Sequence, residues 1–102
     1  MPGYWIARHK VMNQVEYRRY TDRVPAILQK YGGKILTQGA QYETVEGPQH
    51  FNRFVVIEFE SMQAAQRCFD SPEYVEAAAF RRSGAAENEV TIAASGDGQD
   101  RK

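Results

Sequence analysis

The sequence predicts an α+β domain whose segments follow the order βαββαβ. Two observations carry this reading. Each half of the chain reads strand, helix, strand, and the halves meet at a Gly-Pro loop. Two such units joined by a hairpin build one sheet with both helices on one face. A βαβ crossover is right-handed in nearly all proteins, which leaves the strand order 4-1-3-2 with all neighbours antiparallel. The arrangement is ferredoxin-like and is expected over residues 1–94, followed by a polar tail, SGDGQDRK, expected to be disordered over 95–102.

Tyr4 to Val11 (YWIARHKV) concentrates aromatic and β-branched residues, the composition of a strand. Asn13 follows as a helix cap, with Glu16 three residues on as its reciprocal partner. Tyr17, Tyr20, Val24, Ile27, Leu28 and Tyr31 then recur at intervals of three and four, one apolar stripe of a helix. Pro25 removes a backbone donor from that helix, so a kink is expected near Thr21 to Val24. Gly32 and Gly33 supply the left-handed residue that ends it. Lys34 to Val45 reads as a second, long strand, bulged or bent at Gly39. Glu46 to Asn52 (EGPQHFN) is a loop punctuated by Gly47 and Pro48. Arg53 to Glu60 (RFVVIEFE) is the clearest strand. Ser61 caps a helix from Met62 to about Asp70, and Ser71-Pro72-Glu73 restarts it with proline in a first turn. The restarted helix runs to Arg82 and stops at Ser83-Gly84, and Asn88 to Ala94 is the last strand.

The central strands are apolar on both sides. In the third, Val55, Ile57 and Phe59 face one way while Phe54 and Val56 face the other. In the first, Ile6 lies on one side and Trp5 and Ala7 on the other. A sheet with one solvated face alternates apolar and polar residues, and these strands do not. A second copy of the sheet is the simplest cover, so a homodimer is expected. A domain of this length buries only about two-thirds of the surface its unfolded chain exposes, so burial against a partner adds to a modest core.

Composition narrows the function. The 102 residues carry 13 Lys plus Arg and 13 Asp plus Glu, a formal charge of zero, with an isoelectric point near 6.7. Nucleic-acid binders draw most of their affinity from a basic excess that is not visible here. RNA-recognition domains share the βαββαβ order but need a glycine near the start of an aromatic-rich third strand. Asn52 to Phe59 has no glycine and places Val56 and Ile57 where rings are needed. The single cysteine, Cys68, cannot form an intramolecular disulfide and reads as a small apolar filler. The beginning Met-Pro-Gly runs straight into a strand, and no apolar run approaches the roughly 20 residues that span a bilayer. A cytoplasmic, soluble protein is the expectation. Two histidines without a cysteine pair or carboxylate motif give no zinc signature. No metal and no cofactor is expected.

Three short runs are shared with a known family. KYGG (Lys30 to Gly33), VVIEF (Val55 to Phe59) and SPEY (Ser71 to Tyr74) together resemble a family of small bacterial proteins described only as a domain of unknown function. The resemblance spans about residues 3 to 94. It implies a dimeric α+β barrel, in which two ferredoxin-like sheets pack face to face. The wider structural relatives it implies include cofactor-independent monooxygenases, muconolactone isomerase-like enzymes and haem-degrading enzymes. Fold does not carry chemistry with it, so enzyme, ligand-binding protein and non-catalytic dimerising module all stay open.

Candidate residues gather at one end of the predicted sheet. The first strand ends there with Arg8, His9 and Lys10, the third begins near His50 and Arg53, and the second helix finishes with Arg81 and Arg82. Convergent cations beside a helix N-terminus suit a small organic acid. The plainer alternative is that Glu43, Glu46 and Glu87 at the same end pair with these bases. Arg53 is the anchor favoured for an anion, because a guanidinium gives a planar two-point grip. His50 is the candidate catalytic base, since it lies in a loop and an imidazole titrates near neutrality; an exposed loop histidine is the plainer reading. His9 is its substitute, and Tyr42 and Tyr74 are candidate aromatic walls, or simply core. Glu58 is a carboxylate inside an apolar strand, a candidate ligand contact or, in the plainer reading, partly buried and hydrogen-bonded to a tyrosine or arginine across the dimer interface.

Overall fold

The computed structural model describes residues 1–96. The expected tail lies outside the described residues from position 97 onward. The elements are β1 (Gly3–Val11), α1 (Gln14–Thr21), α2 (Val24–Tyr31), β2 (Lys34–Gly39), β3 (Arg53–Phe59), α3 (Met62–Asp70), α4 (Pro72–Arg82) and β4 (Ala86–Ala94). They form one sheet in the order β2-β3-β1-β4 with every pairing antiparallel. This is the ferredoxin-like order 4-1-3-2. No described helix is long and apolar enough to cross a membrane.

Local chemistry accounts for the breaks. Asn13 Oδ1 accepts the Glu16 amide at 3.1 Å and starts α1. The Glu16 carboxylate turns to Arg19 instead of closing the box, and the Asn13 amide donates to Ala85 O. The kink expected at Pro25 is a full break, with Asp22 and Arg23 between two separate helices and Pro25 in the first turn of α2. Gly32, at φ 78°, ends α2 while the Gly33 amide returns to Leu28 O at 2.8 Å. Ser71 both closes α3 and caps α4, accepting the Tyr74 amide at 3.2 Å.

The second strand is shorter than its composition predicts. It stops at Gly39, where the backbone bends with φ 121°, and a register shift lies between Ile35 and Thr37. β2 is an edge strand whose single neighbour is β3, and it ends at Gly39 opposite Phe54, one residue short of the start of β3, where the positive φ of Gly39 turns the chain away. The last strand starts two residues earlier than expected, at Ala86, where it meets the end of β1 at Val11.

The four helices cover one face. Trp5, Ala7, Val55, Ile57 and Phe59 are buried beneath Tyr17, Tyr20, Ile27, Leu28, Ala65, Cys68, Tyr74, Ala77 and Ala78. Cys68 is fully buried, and burial pushes its thiol up to about 11, so it is a filler without nucleophilic character at neutral pH. On the other face the paired central strands present Tyr4, Ile6, Phe54 and Val56, all half-buried. Glu58 sits in this face, half-buried, and accepts a long hydrogen bond from Tyr4 Oη at 3.5 Å.

Candidate functional site

The register sets the site. His9 pairs with Arg53 of β3 on one side and with Asn88 of β4 on the other. Side chains alternate along a strand, so all three project to the helix-covered face, a polar row in an otherwise apolar surface. The next row is Val55, Ala7 and Val90, and the one after is Ile57, Trp5 and Ile92. Ala7 is the small residue in the middle. Its missing bulk, under the break between α1 and α2, leaves a cavity of about 280 Å³.

Tyr17, Tyr20, Thr21, Val24 and Pro25 from the broken helix roof this cavity. Trp5, Ala7, Val55, Ile57 and Ile35 form its apolar floor and wall, and Gln38, Arg53 and His9 its polar end. Shallower grooves past Gln14, Arg18 and Asn52 share Tyr17 and Arg53 with it, so Arg53 stands where the cavity meets the surface.

The polar end is cationic and lacks a counter-charge. Arg53 donates from Nη2 to Gln38 Oε1 at 3.3 Å and lies 5.6 Å from the centre of the Tyr17 ring. Its Nε is buried without a partner, and so is the Tyr17 hydroxyl. Behind Tyr20, Arg81 is only 2% exposed. It donates to Tyr74 Oη at 2.9 Å, and Tyr74 shares a 2.8 Å hydrogen bond with Tyr20 Oη. The guanidinium packs 5.2 and 5.8 Å from the Tyr20 and Tyr74 ring centres, and its Nε has no partner. Among the described residues neither arginine meets a carboxylate, and no acid lines the cavity.

The environment tunes the titratable groups. Burial holds His9 down at about 4, against its bond to Asn88 and with help from the charges of Arg81 and Arg53. Burial pushes Tyr17 up to about 12, with Arg53 pulling the other way, and Tyr74 is raised further for the same reason. The ring of His9 is therefore neutral at pH 7. Because folding lowers its pKa, the unfolded chain takes up the proton first as pH falls below about 6.5. The stability this neutral ring permits is full above that pH and is lost as pH falls toward 4. Between pH 7 and pH 5 the loss from His9 alone is expected to be roughly 2 kcal/mol. Urea midpoints at the two pH values check it. A His9→Gln variant should lose that part of the pH dependence, and an unchanged slope would mean that His9 titrates normally.

Of the residues singled out in the sequence, the structure brings Arg53 and His9 into the cavity and Arg81 and Tyr74 directly behind it. It does not bring the others. His50 bonds Glu87 at 2.6 Å on the outside, and Arg8 bonds Glu89 at 2.6 Å. For these two bases the plainer reading, pairing with nearby acids, describes what is seen. Tyr42 donates to Phe51 O at 2.9 Å and packs on Phe54, on the opposite side of the sheet, where Glu58 also lies. The expected convergence of His50 with Arg53, His9 and Arg81 thus gives way to a site without His50, because that residue's direction is set by the loop and not by the strand. Tyr17, Tyr20 and Gln38 also line the cavity and Asn88 bonds His9, none of them among the residues the sequence singles out. The tyrosines were absorbed in the apolar stripe, where two hydroxyls three residues apart were the available signal.

A family model described as domain of unknown function (DUF1330) matches residues 2–95. No curated protein matches the chain. Solved structures are similar in fold. A protein of unknown function from Rhodopseudomonas palustris is 21% identical, with a TM-score of 0.68 over 89% of this chain and 79% of that one. A dimeric protein of unknown function and ferredoxin-like fold from Bacteroides fragilis is 16% identical, TM-score 0.66, over 91% and 95%. SnoaB, a cofactor-independent oxygenase from Streptomyces nogalater, is 16% identical, TM-score 0.64, over 98% of each chain.

Proposed function

This chain belongs to the DUF1330 family, and from that premise we propose that it binds a small organic acid in the cavity between the sheet and the broken helix. One observation carries the reading: the Arg53 guanidinium stands at one end of an apolar cavity, with Arg81 buried behind the Tyr20 wall, and among the described residues neither meets a carboxylate. A buried charge is costly unless it is paired. A carboxylate in the cavity would partner Arg53, taking up the free donors at Arg53 Nε and Tyr17 Oη, with the charge of Arg81 adding to its attraction from behind Tyr20. An apolar cavity of roughly 150 Å³ already holds benzene. The 280 Å³ here suits one ring or a short chain plus an acid group.

The experiment is an NMR titration with benzoate and acetate. Benzoate is expected to bind wild type more tightly, since only it fills the apolar wall. Arg53→Ala is expected to weaken benzoate roughly tenfold to a hundredfold, the worth of a charged hydrogen bond, while costing less than about 1 kcal/mol of stability at this half-buried position. If wild type and variant respond alike to both acids, the anion site is wrong.

The same reading includes a homodimer through the free face of the sheet. Supporting it are the apolar Ile6, Phe54 and Val56 on that face and the dimeric state of the similar Bacteroides fragilis protein.

A further inference from the structure

Resting on that anion-binding reading, we infer that the bound molecule is a hydroxy acid, whose carboxylate meets Arg53 while its hydroxyl donates a hydrogen bond to His9 Nε2. The argument begins at Asn88. Its Nδ2 donates to Ala86 O at 3.0 Å, which settles which end of the amide is which. Its Oδ1 therefore faces His9 Nδ1, at 2.8 Å. An amide oxygen only accepts, so His9 Nδ1 carries the proton and Nε2 is left as the ring's lone pair.

Among the described residues the only side-chain hydrogen bond of His9 is the one from Nδ1 to Asn88, and the ring lines the cavity. Arg53 on β3 donates through Nη2 to Gln38, and Arg81 on α4 donates through Nη2 to Tyr74, neither of them to His9. Tyr17 on α1 lies 5.7 Å from the imidazole, ring centre to ring centre, with its hydroxyl unbonded. The ring stays neutral at pH 7, because burial and the two cations oppose its protonation. It therefore presents an acceptor and not a second positive charge. A plain acid satisfies Arg53 and leaves this acceptor empty. An acid with a hydroxyl satisfies both, and Arg53 and His9 are direct cross-strand neighbours, so a few ligand atoms separate the two contacts.

A site built to bond a hydroxyl discriminates against the analogue that lacks it. The test compares benzoate with 2-, 3- and 4-hydroxybenzoate on the full chain. At least one hydroxybenzoate is expected to bind wild type about tenfold more tightly than benzoate, and the preference should collapse in His9→Phe. Should that variant not fold, ¹⁵N spectra of wild type provide the second readout. The His9 Nε2 resonance should move with the preferred hydroxybenzoate and stay in place with benzoate. If all four acids bind alike and Nε2 does not distinguish them, this inference is overturned while the Arg53 site stands. If none of the acids binds, the anion-binding reading falls and takes this one with it.

Discussion

Trp5→Ala is expected to lower the stability of the domain by about 3–5 kcal/mol, the range for removing a fully packed large aromatic. Trp5 sits on the central strand β1 and is 2% exposed. Its ring lies parallel to Phe59 at 6.1 Å and edge-on to Phe69 at 5.4 Å and Tyr74 at 4.9 Å. One side chain thus joins β3, α3 and α4, and its loss would open a void beside the existing cavity. Domains of about this size are stable by only roughly 5–15 kcal/mol. The substitution should therefore remove from about a fifth to all of that stability. Urea denaturation followed by circular dichroism measures it, since the substitution removes the only tryptophan. A loss below about 1 kcal/mol would show that this cluster is not the keystone of the core.

Ile6→Glu combined with Val56→Glu is expected to convert a dimer into a folded monomer. The two residues are direct partners across β1 and β3 on the face the helices leave open. In a two-fold dimer each substitution appears twice, so four carboxylates would enter one apolar patch. Burying unpaired charge and losing apolar contact should together weaken association by about 4 kcal/mol or more, near a thousandfold. The helix-side core is untouched, so the circular dichroism spectrum should persist. Sedimentation at micromolar concentration reads the outcome. A monomeric wild type would mean that this face is not an interface between copies.

The sequence alone determined the elements and the two faces of the sheet. Strand alternation, the Asn13 and Ser61 caps, an interruption of the helix by Pro25 and the Gly32 stop are all properties of residues a few positions apart, whereas the full break into two helices is not. Such local signals do not depend on what packs against them. The polar row was not legible in this way. His9, Arg53 and Asn88 are far apart in the chain, and they meet only because the register aligns them. Sliding one strand by a single residue would turn its member of the row to the opposite face.

Loops carry no such periodicity. The start of the antiparallel third strand predicts His50 close to Arg53, yet His50 turns outward to Glu87 in a connection where Tyr42 bonds Phe51 O. β2 likewise ends at Gly39, whose positive φ turns the chain away although Arg53 of β3 lies opposite the next position. Periodicity along the chain was enough to determine which way each strand residue points. Which residues face one another across the cavity was a matter of register and loop closure, set by packing over the whole domain.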